Sequence, residues 1–133
     1  MGDKQRILVV DDNASFSQLI QCVLEEEFEV ALADDGFEGV KLAGSLKPDL
    51  ILMDVMMPRM SGIEMVRMLQ EDPEMKTIPV IVLTGSHMDA SIRDLFEQES
   101  NVRLFLSKVT PVAAIVEAAR RTMSEQKASA SLN

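Results

Sequence analysis

LILMDVMMPRM, residues 50–60, is an apolar run broken by one carboxylate and running into a proline turn. Leu50-Ile51-Leu52-Met53 lacks polar alternation, as strands covered on both faces do. A carboxylate buried within such a strand would be costly. Asp54 therefore belongs at the strand end, where the chain turns towards Pro58.

Four further runs read the same way: RILVV (6–10), FEVALA (28–33), IPVIVLT (78–84) and VRLFL (102–106). Helical spacing fills the gaps between them. Phe16, Leu19, Ile20, Val23 and Leu24 follow i, i+3, i+4, i+7, i+8, one face of a helix. Val112, Ile115, Val116, Ala119 and Met123 repeat the pattern near the end, and Ile63, Val66 and Leu69 suggest another helix. Val40 and Ala43 give a weaker signal among Gly36, Gly39 and Gly44, and Ile92, Leu95 and Phe96 give a short one. Strand and helix alternate five times, which predicts an α/β fold: a doubly wound (βα)5 parallel sheet with helices on both faces. The small, polar SEQKASASLN (124–133) reads as a frayed tail or the start of a linker, so one domain over 5–123 is expected.

The totals narrow the function. The chain has 133 residues, 47% of them hydrophobic, enough for one domain with a real core. A net charge of −9 argues against non-specific nucleic-acid binding and against adhesion to anionic membrane. Cys22 has no partner for an internal disulfide, which suits a reducing compartment. No signal peptide or apolar span long enough to cross a membrane is apparent, so a cytoplasmic protein is expected.

In a doubly wound sheet, ligands bind outside the carboxyl ends of the strands, at the switch point. The first strand ends in Asp11-Asp12, the third in Asp54 and the fourth in Thr84; Ser107-Lys108 follow the fifth. Asp34-Asp35 end the second strand, which reads as an edge strand away from the switch point. Three converging carboxylates repel and raise one another's pKa values, and Mg²⁺ removes that conflict with oxygen ligands. Lysine suits a phosphate oxygen. There is no Ser-His-Asp set, Cys-His pair, metal-ligand cysteine cluster or GxxxxGK[ST] loop. The remaining nucleophile is a carboxylate, and carboxylates do accept phosphoryl groups.

ILVVDDN (7–13), PDLILMDVMMPRMSG (48–62), IPVIVLTG (78–85) and LFLSK (104–108), in this order and spacing, resemble a two-component response-regulator receiver domain over roughly Gln5 to Met123. The resemblance implies a flavodoxin-like sheet of order 2-1-3-4-5. It implies Asp54 as phosphoacceptor. Mg²⁺ would be held by Asp12 directly, Asp11 through a water, Asp54, and the backbone carbonyl of Met56. Lys108 would pair with the phosphoryl group, and Thr84 and Phe105 would move together as the switch. The phosphoryl donor would be a sensor histidine kinase or histidine phosphotransfer protein. The output would pass through the fourth helix, fifth strand and fifth helix to a downstream protein or a missing output domain. No direct nucleic-acid contact or membrane contact is implied, and a phosphorylation-dependent dimer stays open.

Three features depart from the family pattern. Val109 follows Lys108 where relatives usually carry proline, often after a cis bond; cis before a non-proline residue costs about 3 kcal/mol, so a trans bond or a reshaped loop is expected. ESNVR (99–103) replaces the usual Gly-Ala, with Asn101 a candidate for the left-handed conformation. Phe105 stands where tyrosine is frequent. Met56 and Ser86, two residues after Asp54 and Thr84, flank the approach of a hydrolytic water.

Several residues carry two readings. Phe105 is either core or switch, and His87 is an exposed loop residue or a base. Met57 and Met60 are gap-fillers or partner contacts, and Glu25-Glu26-Glu27 are a solvated run or a site for a basic partner. Cys22 reads as partly exposed. Two other functions remain beside the switch. An aspartate-nucleophile, Mg²⁺-dependent phosphatase usually has an acid/base aspartate two residues after the nucleophile, where this chain has Met56. A phosphate-independent pseudo-receiver or flavodoxin-like binder would ordinarily lack a site residue or carry a Gly-rich cradle.

Overall fold

The computed structural model describes residues 4–85 and 90–131. The elements alternate as expected: β1 (Arg6–Val10), α1 (Ala14–Leu24), β2 (Glu29–Ala33), α2 (Gly36–Leu46), β3 (Leu50–Asp54), α3 (Gly62–Gln70), β4 (Val80–Thr84), α4 (Ala90–Glu97), β5 (Val102–Ser107) and α5 (Val112–Ser131). The five strands form one parallel sheet in the order β2-β1-β3-β4-β5. β1 and β3 are central neighbours, and the strand order reverses between them.

β3 is buried at every position, as its unbroken apolar run demands. Alternate residues feed two cores. Leu8, Val10, Ile51, Met53, Val80 and Val82 face the α2–α3 side with Val66, Leu69 and Phe96. Ile7, Val9, Leu50, Leu52, Ile81 and Leu83 face α1 and α5 with Ile20, Leu24, Ile115 and Ala119. Each of these cores seals one face of the strands whose ends carry the carboxylates.

Helix starts are written locally. Asn13, Asp35 and Ser61 cap α1, α2 and α3 by accepting from the backbone N–H three residues on. Ser61 and Glu64 complete a capping box. Two of the three glycines that weaken the α2 signal, Gly36 and Gly39, are packing positions. A Cβ on Gly36 would lie 2.8 Å from the Met60 Cβ, and one on Gly39 would lie 2.9 Å from the Met65 Cε. α2 thus forms by lying close to α3 and its preceding loop.

Four expectations need correction. Leu19 is exposed, so the α1 stripe is narrower than its spacing implies; Leu95 on α4 is exposed too. Of the two readings of Met60 the gap-filler holds, for it is buried in the core against α2. Asn101 does not adopt positive φ; among the described residues only Lys47 and Arg59 do. It is buried instead, accepting from the Gln70 amide at 2.5 Å while its backbone oxygen receives the Val80 N–H. Finally, α5 continues to Ser131 in place of a frayed segment after Met123. Gln126 anchors this extension by donating to the Thr77 carbonyl at 2.9 Å and accepting from Arg103.

Candidate functional site

The sheet order brings Asp11, Asp12 and Asp54 to one rim, with one carboxylate oxygen of each within 4.8 Å of the others. Asp11 and Asp54 are buried and Asp12 is exposed. Asp11 is held from both sides: its N–H donates to the Ala33 carbonyl at 3.0 Å, and its Oδ1 accepts the Asn13 N–H at 2.9 Å. Asp54 Oδ1 accepts the Met56 N–H at 3.4 Å, which curls the loop back over the end of β3.

Lys108 closes the cluster. Its Nζ lies 2.5 Å from Asp11 Oδ2 and 3.4 Å from Asp54 Oδ2. The contact with Asp11 is an approach of opposite charges, since that buried oxygen receives no well-directed hydrogen bond. The ammonium also lies 4.9 Å from the centre of the Phe16 ring. Phe16 reads as a stripe residue in the sequence, and nothing in its spacing announces this second contact.

The Lys108–Val109 bond is trans, for no peptide bond among the described residues is cis. The Thr110 N–H donates to the Ser107 carbonyl at 3.0 Å and the Val109 N–H to Ser107 Oγ at 3.2 Å, a turn that does without proline. The Lys108 N–H donates to the Thr84 carbonyl at 2.8 Å, so β4 and β5 deliver Thr84 and Lys108 together.

The charges balance incompletely. Burial, and next the Asp11 charge, push the Asp54 carboxyl above its ordinary value; Lys108 and the Met56 N–H oppose this without cancelling it. Burial works to lower the Lys108 pKa, but Asp11 and Asp54 together outweigh it and hold the ammonium above its ordinary value. Three carboxylates against one half-buried cation leave excess negative charge, and an oxygen without a hydrogen bond. That donor set fits a hard divalent cation.

Phe105 is half-buried on β5. Its ring meets Phe96 edge to face, with centroids 6.2 Å apart, and the Arg93 guanidinium lies 4.7 Å from its centre. Ser86 and His87 lie outside the described residues. Cys22 is exposed, and Glu27 of the acidic run pairs with Arg120 on α5 at 2.6 Å. The sequence reading passed over Asp35 as a functional contact; its Asp-x-x-Glu spacing to Glu38 is a helix-start signal that marks the cap.

Gly62 sits directly behind the acidic rim. A Cβ there would lie 2.9 Å from the Asp54 carbonyl oxygen and 3.2 Å from that of Val55. Gly62→Ala is expected to destabilise by about 1–3 kcal/mol, as overpacking against rigid groups does; thermal melting measures it, and an unchanged melting temperature would contradict the close approach.

The family profile described as the response regulator receiver domain matches residues 7–120. The chain belongs to that family. Receiver domains are phosphorylation-based signalling switches of two-component systems, typically modified on aspartate and typically binding Mg²⁺ at an acidic pocket. This one is 36% identical to protein PilH of Pseudomonas aeruginosa over 77% of its own length and 84% of PilH. It is 42% identical to hybrid signal transduction histidine kinase D of Dictyostelium discoideum over 62% of its own length. A solved CheY-like receiver domain from Methanospirillum hungatei superposes with a TM-score of 0.88 at 22% identity, covering 96% of this chain and 99% of that one. The receiver chain spans only 5% of the length of the hybrid kinase. It spans about a third, 35–36%, of the DNA-binding response regulators it matches. Among the described residues, no helix is long and apolar enough to cross a membrane.

Proposed function

We propose that this receiver domain takes a phosphoryl group onto Asp54 from a phosphohistidine, in the cytoplasm, and acts as a switch through α4, β5 and α5. The donor is a sensor histidine kinase or a histidine phosphotransfer protein, and the acceptor of the signal is a downstream protein or an output domain. The observation that carries this reading is the convergence of Asp11, Asp12 and Asp54 with Lys108 on one strand-end rim. The likeness to a hybrid histidine kinase supports the choice of partner.

Asp11, Asp12, Asp54 and the Met56 carbonyl would hold Mg²⁺. When bound, Mg²⁺ supplies positive charge that offsets the charge on the transferring phosphoryl oxygens. An Asp54 carboxylate oxygen attacks phosphorus, the P–N bond to the imidazole breaks, and the ring leaves with the electron pair. Lys108 meets the new phosphoryl oxygens with its ammonium, and Thr84 offers its hydroxyl to them. Phe105 then moves with Thr84, and a shift in population of the α4-β5-α5 face carries the message. The domain positions and stabilises and turns over no outside substrate. The phosphatase alternative lacks an acid/base group at Met56, and a phosphate-independent pseudo-receiver would ordinarily lack one of Asp11, Asp12, Asp54, Thr84 and Lys108, which this chain keeps.

Intact-mass spectrometry after incubation with acetyl phosphate and Mg²⁺ tests the reading. One phosphoryl adduct is expected, and none with the metal chelated. A folded, Mg²⁺-loaded protein that refuses both acetyl phosphate and phosphohistidine donors would overturn it.

A further inference from the structure

The loop that leaves Asp54 holds an unusual residue. Arg59 has φ 66, a conformation that bulky L residues rarely adopt. Across it, the Met60 N–H donates to the Pro58 carbonyl at 2.7 Å, closing a three-residue turn of the strained, φ-positive kind. Glycine would suit that turn better, so the arginine side chain must be held by something. Its guanidinium pairs with Asp35, the buried N-cap of α2, and lies 5.9 Å from the centre of the exposed Phe37 ring. The Glu38 N–H, and then Arg59, hold the Asp35 carboxyl below its ordinary value, so the pair stays charged. Beside this contact Met60 is pressed on Gly36. At its far end the loop is pinned by the Gly62 N–H donating to the Val55 carbonyl at 3.1 Å.

The loop thus has a hydrogen-bonded neck at Val55 and Gly62 and a polar anchor at Arg59, with Met56 strung between them. Met56 is exposed, and its side chain does little to place its own backbone. We propose that Arg59 is a positioning residue. By tying the loop to the N-terminus of α2 through Asp35 and Phe37, it sets where the Met56 backbone stands at the acidic rim, and so how tightly that rim takes a divalent cation. The inference rests on the acidic cluster being the cation site.

Arg59→Gly separates strain from anchoring, because it relieves the positive φ while deleting the contact. Asp35→Asn removes the charge and keeps a capping oxygen. Mg²⁺ titration by calorimetry should show Arg59→Gly binding about tenfold more weakly than the wild type, the scale on which outer partners of a metal act. Arg59→Lys, which keeps the charge, should fall between them, and Asp35→Asn should weaken binding as well. Adding Asp35→Asn to Arg59→Gly should bring no further loss. In metal-free protein, the Met60 amide should exchange faster in Arg59→Gly. A wild type that binds Mg²⁺ and an Arg59→Gly chain that matches it within twofold would overturn the role of Arg59 alone. A wild type with no Mg²⁺ affinity would bring down the cation site itself and this inference with it.

Discussion

Metal-free Asp54→Asn protein melts higher than the wild type at neutral pH and takes up no phosphoryl group. The first half follows from the charges. Asp54 is buried beside Asp11, and its carboxyl is raised above the ordinary 3.8, first by burial and then by the Asp11 charge. Between 3.8 and the raised value the folded chain holds more protons than the unfolded one. Stability therefore falls as pH rises through that window, and the whole penalty is present above it. Asparagine keeps an oxygen for the Met56 N–H and carries no charge. The gap between the two proteins should be small near pH 4, open as pH rises, and then level off. A gain of roughly 3 °C or more corresponds to 1 kcal/mol in a chain of this length. Mg²⁺ should stabilise the wild type by mass action and narrow the gap. The second half follows from the proposed role, since an amide offers no carboxylate oxygen to phosphorus. Calorimetric melting across pH and intact-mass spectrometry check the two halves separately. An asparagine protein that melts lower at pH 7 would show that the cluster is not repulsive.

Lys108→Met has two large effects of different origin. In the metal-free protein Lys108 is the cation facing the buried Asp11 oxygen, at 2.5 Å. Methionine fills the stem's volume and leaves Asp11 and Asp54 facing each other. Removing one partner of a buried pair costs roughly 3–5 kcal/mol; with Lys108 partly exposed, the lower end is expected, a fall of about 10 °C. Adding Asp54→Asn should recover part of this loss, because one of the two stranded charges is gone. Phosphoryl uptake should slow by about 10²–10³-fold, as when one preorganised donor to a developing charge is removed. Mg²⁺ should restore stability without restoring that rate. Urea melts with and without Mg²⁺, beside a time course of adduct formation, separate the two. Equal uptake rates in the variant and the wild type would remove Lys108 from the proposed chemistry.

Much of this was legible beforehand because strands buried on both faces carry their own signature. RILVV, LILM and VIVL have no polar alternation, so the first polar residue after each must stand at the rim. Asp11, Asp54 and Thr84 were therefore located by strand ends, and Lys108 by its place after VRLFL. Periodicity was less reliable on helices. The stripe through Leu19 assumed a wide apolar face, whereas only α5 and the sheet arrive to cover it. Met60 carries two readings, gap-filler and partner contact, because nothing local says that Gly36 opens a slot for it. Asn101 was read from its preference for left-handed turns, and its buried bond to Gln70 depends on α3 reaching β5.

The sequence by itself determined the alternation of strands and helices, the residue at the end of each strand and the caps that start the helices. These depend on local burial patterns and on side chains bonding to their own backbone. Only the tertiary structure decided that Lys108 leans on Asp11 more closely than on Asp54, that Phe16 lies beside that ammonium, and that Arg59 crosses to α2. Those contacts join residues far apart in the chain, and their distances depend on sheet order and helix packing, which no local pattern encodes.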